Sequence, residues 1–210
     1  MTAHRSMIRR AAAVAAAATA AVVLAACGGG DDSPVGHDGH DKSASPSASA
    51  AAQQGEHNAA DVSFAKGMIP HHRQAVEMAG LAETRAASAE VKKLAEEIKK
   101  AQDPEIKTLS GWLTSWGEEV PGEEEGGEHA GHSMSGMMTP EEMDRLEKSS
   151  GKAFDTAFLE MMVKHHEGAV EMARTEQSEG AYRPAKDMAG TIITSQSAEI
   201  TRMNGLLGKS

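Results

Sequence analysis

The chain has 210 residues, with 21 Lys and Arg against 31 Asp and Glu, and a net charge of −10. A single cysteine excludes a disulfide scaffold and a zinc site built from cysteines alone. The acidic balance and the 3% aromatic content argue against nucleic acid as a partner, because such surfaces need positive charge and stacking rings. Methionine (13) and histidine (10) are abundant instead.

Residues 1–26 have the pattern of an export signal. Three arginines precede an uncharged run of 16 residues, which is shorter than the ~20 residues that a membrane-spanning helix needs. The run ends in the letters LAAC, which resemble the bacterial lipobox; there the cysteine is lipidated and becomes the new N-terminus. An ordinary signal peptide with an incidental cysteine is the alternative. The sequence therefore predicts an exported protein, anchored to the outer face of the bacterial cell membrane through lipidated Cys27.

Two segments have low complexity. Residues 27–57 are rich in Gly, Ser, Ala, Pro and Asp without apolar periodicity, which predicts a disordered tether. Residues 118–138 form a loop rich in Glu, His and Met, also expected to be disordered, and it resembles the loops of exported copper proteins. A plain solvated linker is the alternative for this loop. Its candidate accessory metal ligands are His129, His132, Met134, Met137 and Met138.

An internal repeat organises the rest of the chain. Residues 61–79 and 155–173 are identical at ten of 19 positions, at an offset of 94 residues. The same offset continues without a gap from residues 89–113 to residues 183–207. Such a repeat indicates that one structural unit occurs twice.

Each unit is predicted to be a helical hairpin. In the first unit, Asn58 is placed to cap a helix, a turn follows near residues 85–89, and a second helix ends near Gly117. Pro104 is expected to kink or break that second helix. In the second unit, Thr139 precedes a short helix at about 140–149, and Pro184 fits the first turn of the last helix.

The predicted fold is all-α: an antiparallel four-helix bundle made of two repeated hairpins over residues 58–208. Repeat one spans 58–117 and repeat two spans 139–208. Neither amphipathic hairpin would bury its apolar face alone, so the two hairpins should pack together.

A His-His pair occurs in each repeat, with its first histidine on the stripe that should face the core and its second histidine one step around the helix. His71-His72 and His165-His166 follow a methionine, Met68 or Met162, by three and four residues, which is one helical turn. One buried histidine is most often a satisfied core residue, and methionine is usually a flexible core side chain. A duplicated His-His pair beside methionine instead favours a metal, and imidazole with thioether suits copper. On the same two stripes lie Asp61, Met78, Asp155 and Met172.

Two glutamates give a second signal. Glu105 lies seven residues after Ile98, within the apolar stripe of its helix, and Glu199 repeats this placement relative to Ile192. Buried carboxylates are rare unless they are paired or bind metal. The alternative is a glutamate at the end of the bundle that reaches solvent. Both glutamates are added to the candidate metal ligands.

These motifs resemble the family called domain of unknown function 305. The first signature covers Asp61 to Ala79, the second covers Phe154 to Ala173, and each repeat also carries a Gln-x-x-Glu-Ile element. Residues 163 and 164 are Val-Lys where repeat one has Ile-Pro, so the second repeat lacks that proline. The resemblance implies a ferritin-like four-helix fold, export, and copper binding for some members.

Three functions compete. The first is a cell-surface metal-binding protein, with copper preferred over another divalent transition metal, acting in buffering, tolerance or delivery. The second is a ferritin-like di-metal redox enzyme. Against it, Met68 stands three residues before His71, where di-iron bundles have a glutamate. The third is a structural or interaction module in which His and Met only pack. The residues favour binding over catalysis.

Overall fold

The computed structural model describes residues 56–122 and 135–209, all within one compact unit, Ser45–Ser210. The predicted signal peptide, Cys27 and the tether up to residue 55 lie outside the described residues, as do His129, His132 and Met134. The described part contains five helices and no β-strand, which confirms the all-α fold. The helices are α1 (Ala59–Arg85), α2 (Ala89–Trp116), α3 (Pro140–Lys148), α4 (Gly151–Glu179) and α5 (Arg183–Leu206).

The helix ends follow local chemistry. Asn58 caps α1 in a reciprocal capping box with Asp61, and Thr139 caps α3 in the same way with Glu142. α2 ends at Gly117, whose φ of 75° is the left-handed conformation that glycine adopts without steric cost. The predicted turn near residues 85–89 is confirmed, because α1 ends at Arg85 and α2 begins at Ala89.

Of the two outcomes expected at Pro104, a kink or a break, the break does not occur. α2 continues through Pro104 from Ala89 to Trp116. An interior proline costs about 3 kcal/mol because it removes one backbone hydrogen bond and crowds the preceding turn. Residues of α2 are fully buried on both sides of it, such as Leu94 and Ile98 before and Leu109 and Leu113 after. Tertiary packing of this face therefore outweighs the local penalty.

The two hairpins pack through their first long helices. α1 contacts α2, α4 contacts α5, and α1 contacts α4, while the short α3 contacts both α1 and α4. The carboxylate of Asp61, at the start of α1, accepts hydrogen bonds from Ala181 N (3.2 Å) and Tyr182 N (2.9 Å) at the end of α4. α1 and α4 are therefore antiparallel.

The core has two apolar halves with a polar layer between them. One half contains Met78, Phe158 and Met162, and the other contains Phe64 and Met68. On each of the four long helices the residues of the two halves are separated by polar residues. These are His71 and His72 on α1, Gln102 and Glu105 on α2, His165 and His166 on α4, and Gln196 and Glu199 on α5.

Candidate metal centre

All four histidines of the polar layer are fully buried. The side chains of His71, His72, His165 and His166 have 0% of their surface exposed. They come from the midpoints of α1 and α4, the two helices that pack against each other at the centre of the molecule. The structure therefore brings the two His-His pairs of the repeat into one buried cluster.

One histidine of each pair is held by a glutamate. His72 Nε2 donates to Glu105 Oε2 at 2.7 Å, and His166 Nε2 donates to Glu199 Oε2 at 2.6 Å. Because a carboxylate accepts, Nε2 carries a proton, and in the neutral ring the lone pair is then on Nδ1. Neither Nδ1 atom has a hydrogen-bond partner, although both are buried. Each carboxylate is itself about one-fifth exposed and reaches the solvent edge of the layer.

The other two histidines face each other between α1 and α4. The ring centroids of His71 and His165 are 3.7 Å apart, with 40° between the ring planes. His71 Nε2 donates to the backbone carbonyl of Ser135 at 3.2 Å, which leaves its Nδ1 unpartnered. Neither ring nitrogen of His165 has a partner. Its ring centroid is 6.4 Å from that of His166.

Burial keeps the central pair neutral. Removal from water, reinforced by the neighbouring His72, lowers the pKa of His71 to about 3. Burial, together with neighbouring His71, lowers the pKa of His165 well below its ordinary value. Both rings are therefore neutral at physiological pH, which is the state in which imidazole binds a metal.

The chemistry of these donors fits a transition metal. Five buried ring nitrogens of the four histidines lack partners, and an unpaired buried polar group is costly. Within the described residues, however, no three His, Cys, Asp or Glu side chains are already arranged to hold a metal ion. Thioethers are a further kind of donor. Met68 and Met162, both fully buried, lie one turn before His71 and His165.

The two aspartates are not brought to this cluster. Asp61 and Asp155 lie ten residues before His71 and His165, about 15 Å along each helix. Their oxygens accept backbone hydrogen bonds at the ends of the bundle, where Asp155 binds Ala87 N and Ser88 N at 3.0 Å each. The metal-ligand interpretation of both aspartates is therefore replaced by a role in joining the two hairpins.

The remaining candidates are also apart from the ring nitrogens. Met78 and Met172 lie seven residues beyond His71 and His165, about 10 Å along their helices. Met78 is fully buried in the apolar core, and Met172 lines a surface cavity of about 390 Å³ near Glu176. Glu105 and Glu199 contact the histidines and so orient them.

The end of the predicted disordered loop is seated on the helices. Met138 is 5% exposed and packs in the same apolar half as Met162, so it is a core residue rather than an accessory ligand in this structure. Met137 is half-buried. The sequence pattern could not predict that Met138 is buried. The placement of Met138 depends on Gln74 of α1 and Gly168 of α4, which occupy equivalent positions of the two repeats but differ in identity.

Comparison with known proteins supports the family resemblance seen in the repeat. The family model described as "Domain of unknown function (DUF305)" matches residues 61–207. A DUF305 protein from Streptomyces coelicolor, described as secreted, is 33% identical over 71% of this chain and 93% of its own, with a TM-score of 0.65. A DUF305 fragment from Deinococcus radiodurans is 31% identical over 73% of this chain and 98% of its own, with a TM-score of 0.64.

A third similar structure is CopM in its Cu(II)-bound form. It is 36% identical over 70% of this chain and 94% of its own, with a TM-score of 0.61. CopM has also been solved in Cu(I)-bound, Ag-bound and apo forms. No curated protein matches the chain. The chain is thus similar in fold and in sequence to a protein that has been solved with copper or silver bound.

Proposed function

The chain belongs to the DUF305 family, and we propose that its layer of four histidines binds copper at the bacterial cell surface. The observation that carries this proposal is the set of five buried, unpartnered imidazole nitrogens at the centre of the molecule. A native structure retains such groups at a cost in stability, which a bound metal offsets. The proposed role is copper buffering, tolerance or delivery, without a catalytic step.

Copper is preferred over other transition metals for its affinity toward this donor set. Imidazole binds copper well in both oxidation states, and thioether favours the soft Cu(I) ion. Met68 and Met162 flank the histidine layer from its two apolar sides. CopM, which is 36% identical to the chain, was crystallised with Cu(II), and other structures of it hold Cu(I) or Ag, a soft ion like Cu(I).

The residues divide into ligands and holding groups. His71, His72, His165 and His166 would bind the metal, with Met68 and Met162 as further donors. Glu105 and Glu199 would fix the orientation of two imidazoles and raise their basicity, as carboxylates do behind many metal-bound histidines.

A titration tests the proposal. The purified domain, residues 56–210, is titrated with Cu(I) against a chromophoric chelator of known affinity. We expect the domain to take one tight equivalent from the chelator. Replacement of all four histidines by Ala should abolish this transfer, while His57→Ala, outside the layer, should leave it unchanged. Retention of the tight equivalent in the fourfold variant would refute the assignment.

We also propose that the protein is held at the membrane by lipidated Cys27. In the described part of the chain, no helix is long and apolar enough to cross a bilayer. The lipobox-like letters LAAC and the following Gly- and Ser-rich residues support an anchor with a tether. Fractionation of cells that express the full chain tests this. The wild-type protein should partition with the membrane and incorporate labelled fatty acid, and Cys27→Ser should do neither.

A further inference from the structure

A four-residue strap, Ser135–Met138, lies against α1 and α4 beside the histidine layer. Gln74 of α1 binds Met138, the last residue of the strap, through two hydrogen bonds. Gln74 Nε2 donates to Met138 O at 2.9 Å, and Met138 N donates to Gln74 Oε1 at 2.7 Å. At the near end, Ser135 Oγ donates to Glu171 Oε2 of α4 at 2.6 Å. The strap is therefore fixed to both central helices.

The near end of the strap packs closely against α4 at two glycines, Gly136 in the strap and Gly168 in the helix. Gly136 has a φ of 83°, and a side chain there would approach Lys164 O to 2.6 Å and His165 O to 3.0 Å. On α4, a Cβ atom at Gly168 would overlap the Ser135 carbonyl. The strap backbone can reach this depth only because neither residue has a side chain.

Gln74 and Gly168 occupy the same position of the two repeats. They are 94 residues apart, inside a run where the His-His pairs before them and five residues after them are identical. The repeat thus loses its symmetry at the position that holds the strap. One copy supplies the side chain that grips it, and the other supplies the space into which its backbone fits.

We propose that the strap is a positioning element of the metal site, through the hydrogen bond from His71 Nε2 to the Ser135 carbonyl. A carbonyl oxygen only accepts, so this bond keeps the proton on Nε2 and the lone pair on Nδ1. Glu105 and Glu199 do the same for His72 and His166. Three imidazoles therefore present unpartnered Nδ1 atoms in the same tautomer.

His165 is the exception that this arrangement leaves free. Neither of its ring nitrogens makes a full hydrogen bond, and the acceptor near it is the backbone of His71, which opposes the fall in its pKa, rather than the strap or a glutamate. The strap is the last part of the His- and Met-rich loop, residues 118–138, and its carbonyl acceptor serves the repeat-one histidine only. This inference rests on the proposed copper binding, and it assigns to the strap a share of the affinity of that site.

Gly168→Ala is the principal test. The added methyl group displaces the Ser135 carbonyl from His71, while alanine in a helix interior favours the helix itself. Gly80→Ala is the matched control, because Gly80 is also a helical glycine and a Cβ there meets nothing within 4 Å. Gln74→Ala loosens the other end of the strap. Ser135→Ala keeps the carbonyl and removes only the hydroxyl.

Two measurements are made on each variant. In the metal-free protein, ¹⁵N spectra of the histidine rings report the tautomer of His71. In the copper titration, competition with the chelator reports the dissociation constant. We expect Gly168→Ala to convert His71 to a mixture of tautomers and to weaken Cu(I) binding 10- to 100-fold, which is typical when a group behind a ligand is lost. Gln74→Ala and Ser135→Ala, which each remove the side-chain hydrogen bonds at one end of the strap, should show smaller changes in the same direction, and Gly80→Ala should resemble the wild type.

The outcomes separate the two proposals. If the wild-type domain does not compete with the chelator, the proposed function fails and this inference fails with it. If the wild type binds tightly and Gly168→Ala binds as tightly as Gly80→Ala, only the inference is overturned. A wild-type His71 ring that carries its proton on Nδ1 overturns it independently of any copper measurement.

Discussion

Each imidazole held by a carboxylate illustrates how single residues tune this site. His72 is fully buried, whereas its partner Glu105 reaches the solvent edge, so the carboxylate stays hydrated while its hydrogen bond orients a ring inside the protein. His166 and Glu199 repeat the arrangement. The duplicated pair allows the contribution of one carboxylate to be measured against the other.

We expect Glu105→Ala to weaken Cu(I) binding 10- to 100-fold, because His72 then loses the acceptor that fixes its tautomer. Glu105→Gln keeps an acceptor without the charge and should lie between Ala and the wild type. Chelator competition measures both. The exposed Glu83 on α1 provides a control, and Glu83→Ala should have no effect. Equal affinities for all three variants would exclude a positioning role for Glu105.

Glu176 has no distinguishing signal in the sequence, yet it is 1% exposed at the C-terminal end of α4. Burial, and then its contact with Asp61, raise its pKa to about 8, while Lys186 of α5 opposes this shift. Burial also tends to raise the pKa of Asp61, but hydrogen bonds led by that from Asn58 N outweigh it and lower the pKa. At neutral pH Glu176 is therefore protonated, and the neutral acid is the form that can donate toward the neighbouring Asp61 carboxylate.

This pair predicts a loss of stability at alkaline pH. In the unfolded chain Glu176 ionises near its ordinary pKa, whereas in the folded protein it holds its proton to about pH 8. The folded state thus binds more protons between these values, and stability falls as pH rises through this window. At pH 6.5 His71 and His165 are about half protonated in the unfolded chain only, which makes stability rise slightly with pH, so the fall due to Glu176 is taken from the difference between the wild type and Glu176→Gln.

Thermal unfolding at pH 6.5 and pH 9 measures the effect. The wild-type Tm should fall between the two values, and Glu176→Gln should show a smaller fall, because an amide donates to Asp61 at every pH. The equivalent position of repeat one is the buried Ala82, so Glu176→Ala also tests whether the second repeat tolerates the residue of the first. A fall of equal size in wild type and Glu176→Gln would contradict the assignment.

At the scale of elements, the two hairpins are joined by a reciprocal pair of aspartates. Asp155, at the start of α4, accepts from the backbone of the α1–α2 turn, and Asp61, at the start of α1, accepts from the α4–α5 turn. The donors Ser88 N and Tyr182 N belong to the capping residues of α2 and α5. Each carboxylate therefore also lies at the positive end of a helix in the opposite hairpin.

Asp155→Ala should lower the free energy of unfolding by about 1–3 kcal/mol, because two backbone N–H groups at the junction lose their acceptor. Chemical denaturation with a circular dichroism readout measures this. Asp187→Ala is the control, since Asp187 forms a solvent-exposed ion pair with Arg183, and such pairs contribute little to stability. If the two variants lose equal stability, the aspartate is an ordinary surface residue.

The element scale also shows what the sequence can and cannot predict. Helix limits followed from caps and turn residues, as at Asn58, Thr139 and Gly117, because these act within one turn of chain. The continuation of α2 through Pro104 depends on tertiary packing, which a local propensity cannot contain. The repeat singled out the two His-His pairs as candidate ligands, and their meeting in one cluster depends on the packing of α1 against α4. The strap was not predictable from the repeat, since its hydrogen bond to His71 joins residues 64 positions apart.

At the scale of the whole molecule, the histidine layer divides the core. Apolar packing on both sides supplies the stability of the bundle, while the layer between contains nitrogens without partners. Burying such groups without compensation lowers stability. The metal-free protein should therefore be less stable than a bundle with a continuous apolar core, and metal should restore part of the difference.

The double variant His71→Leu/His165→Leu tests whether the unpaired histidine nitrogens lower the stability of the metal-free protein. Without metal, its Tm should exceed that of the wild type, because leucine fills a similar volume with no unpaired polar atom. Added Cu(I) should raise the Tm of the wild type and leave that of the variant unchanged. Differential scanning calorimetry with and without copper gives both results. Equal wild-type Tm values in the two conditions would favour a purely structural role for the layer.

The last prediction concerns the division of copper between the bundle and the loop. A rigid site loses little entropy on binding, whereas a site on a low-complexity loop must be ordered at that moment. The helical histidines should thus bind more tightly than His129, His132 and Met134, which would collect copper near the bundle and raise its local concentration. Replacing these three residues by Ser keeps the length of the loop and the strap, Ser135–Met138, intact.

We expect this triple variant to retain the tightest equivalent and to bind fewer equivalents in total. Replacing His71 and His165 by Ala should have the opposite effect, with the tightest equivalent lost and weaker binding by the loop preserved. Titration with stoichiometry from metal analysis distinguishes the two. A deletion that extends through residue 138 differs from the triple variant, because it also removes the acceptor of His71. It should weaken the tightest equivalent, and if the triple variant weakens it as strongly, the principal site includes the loop.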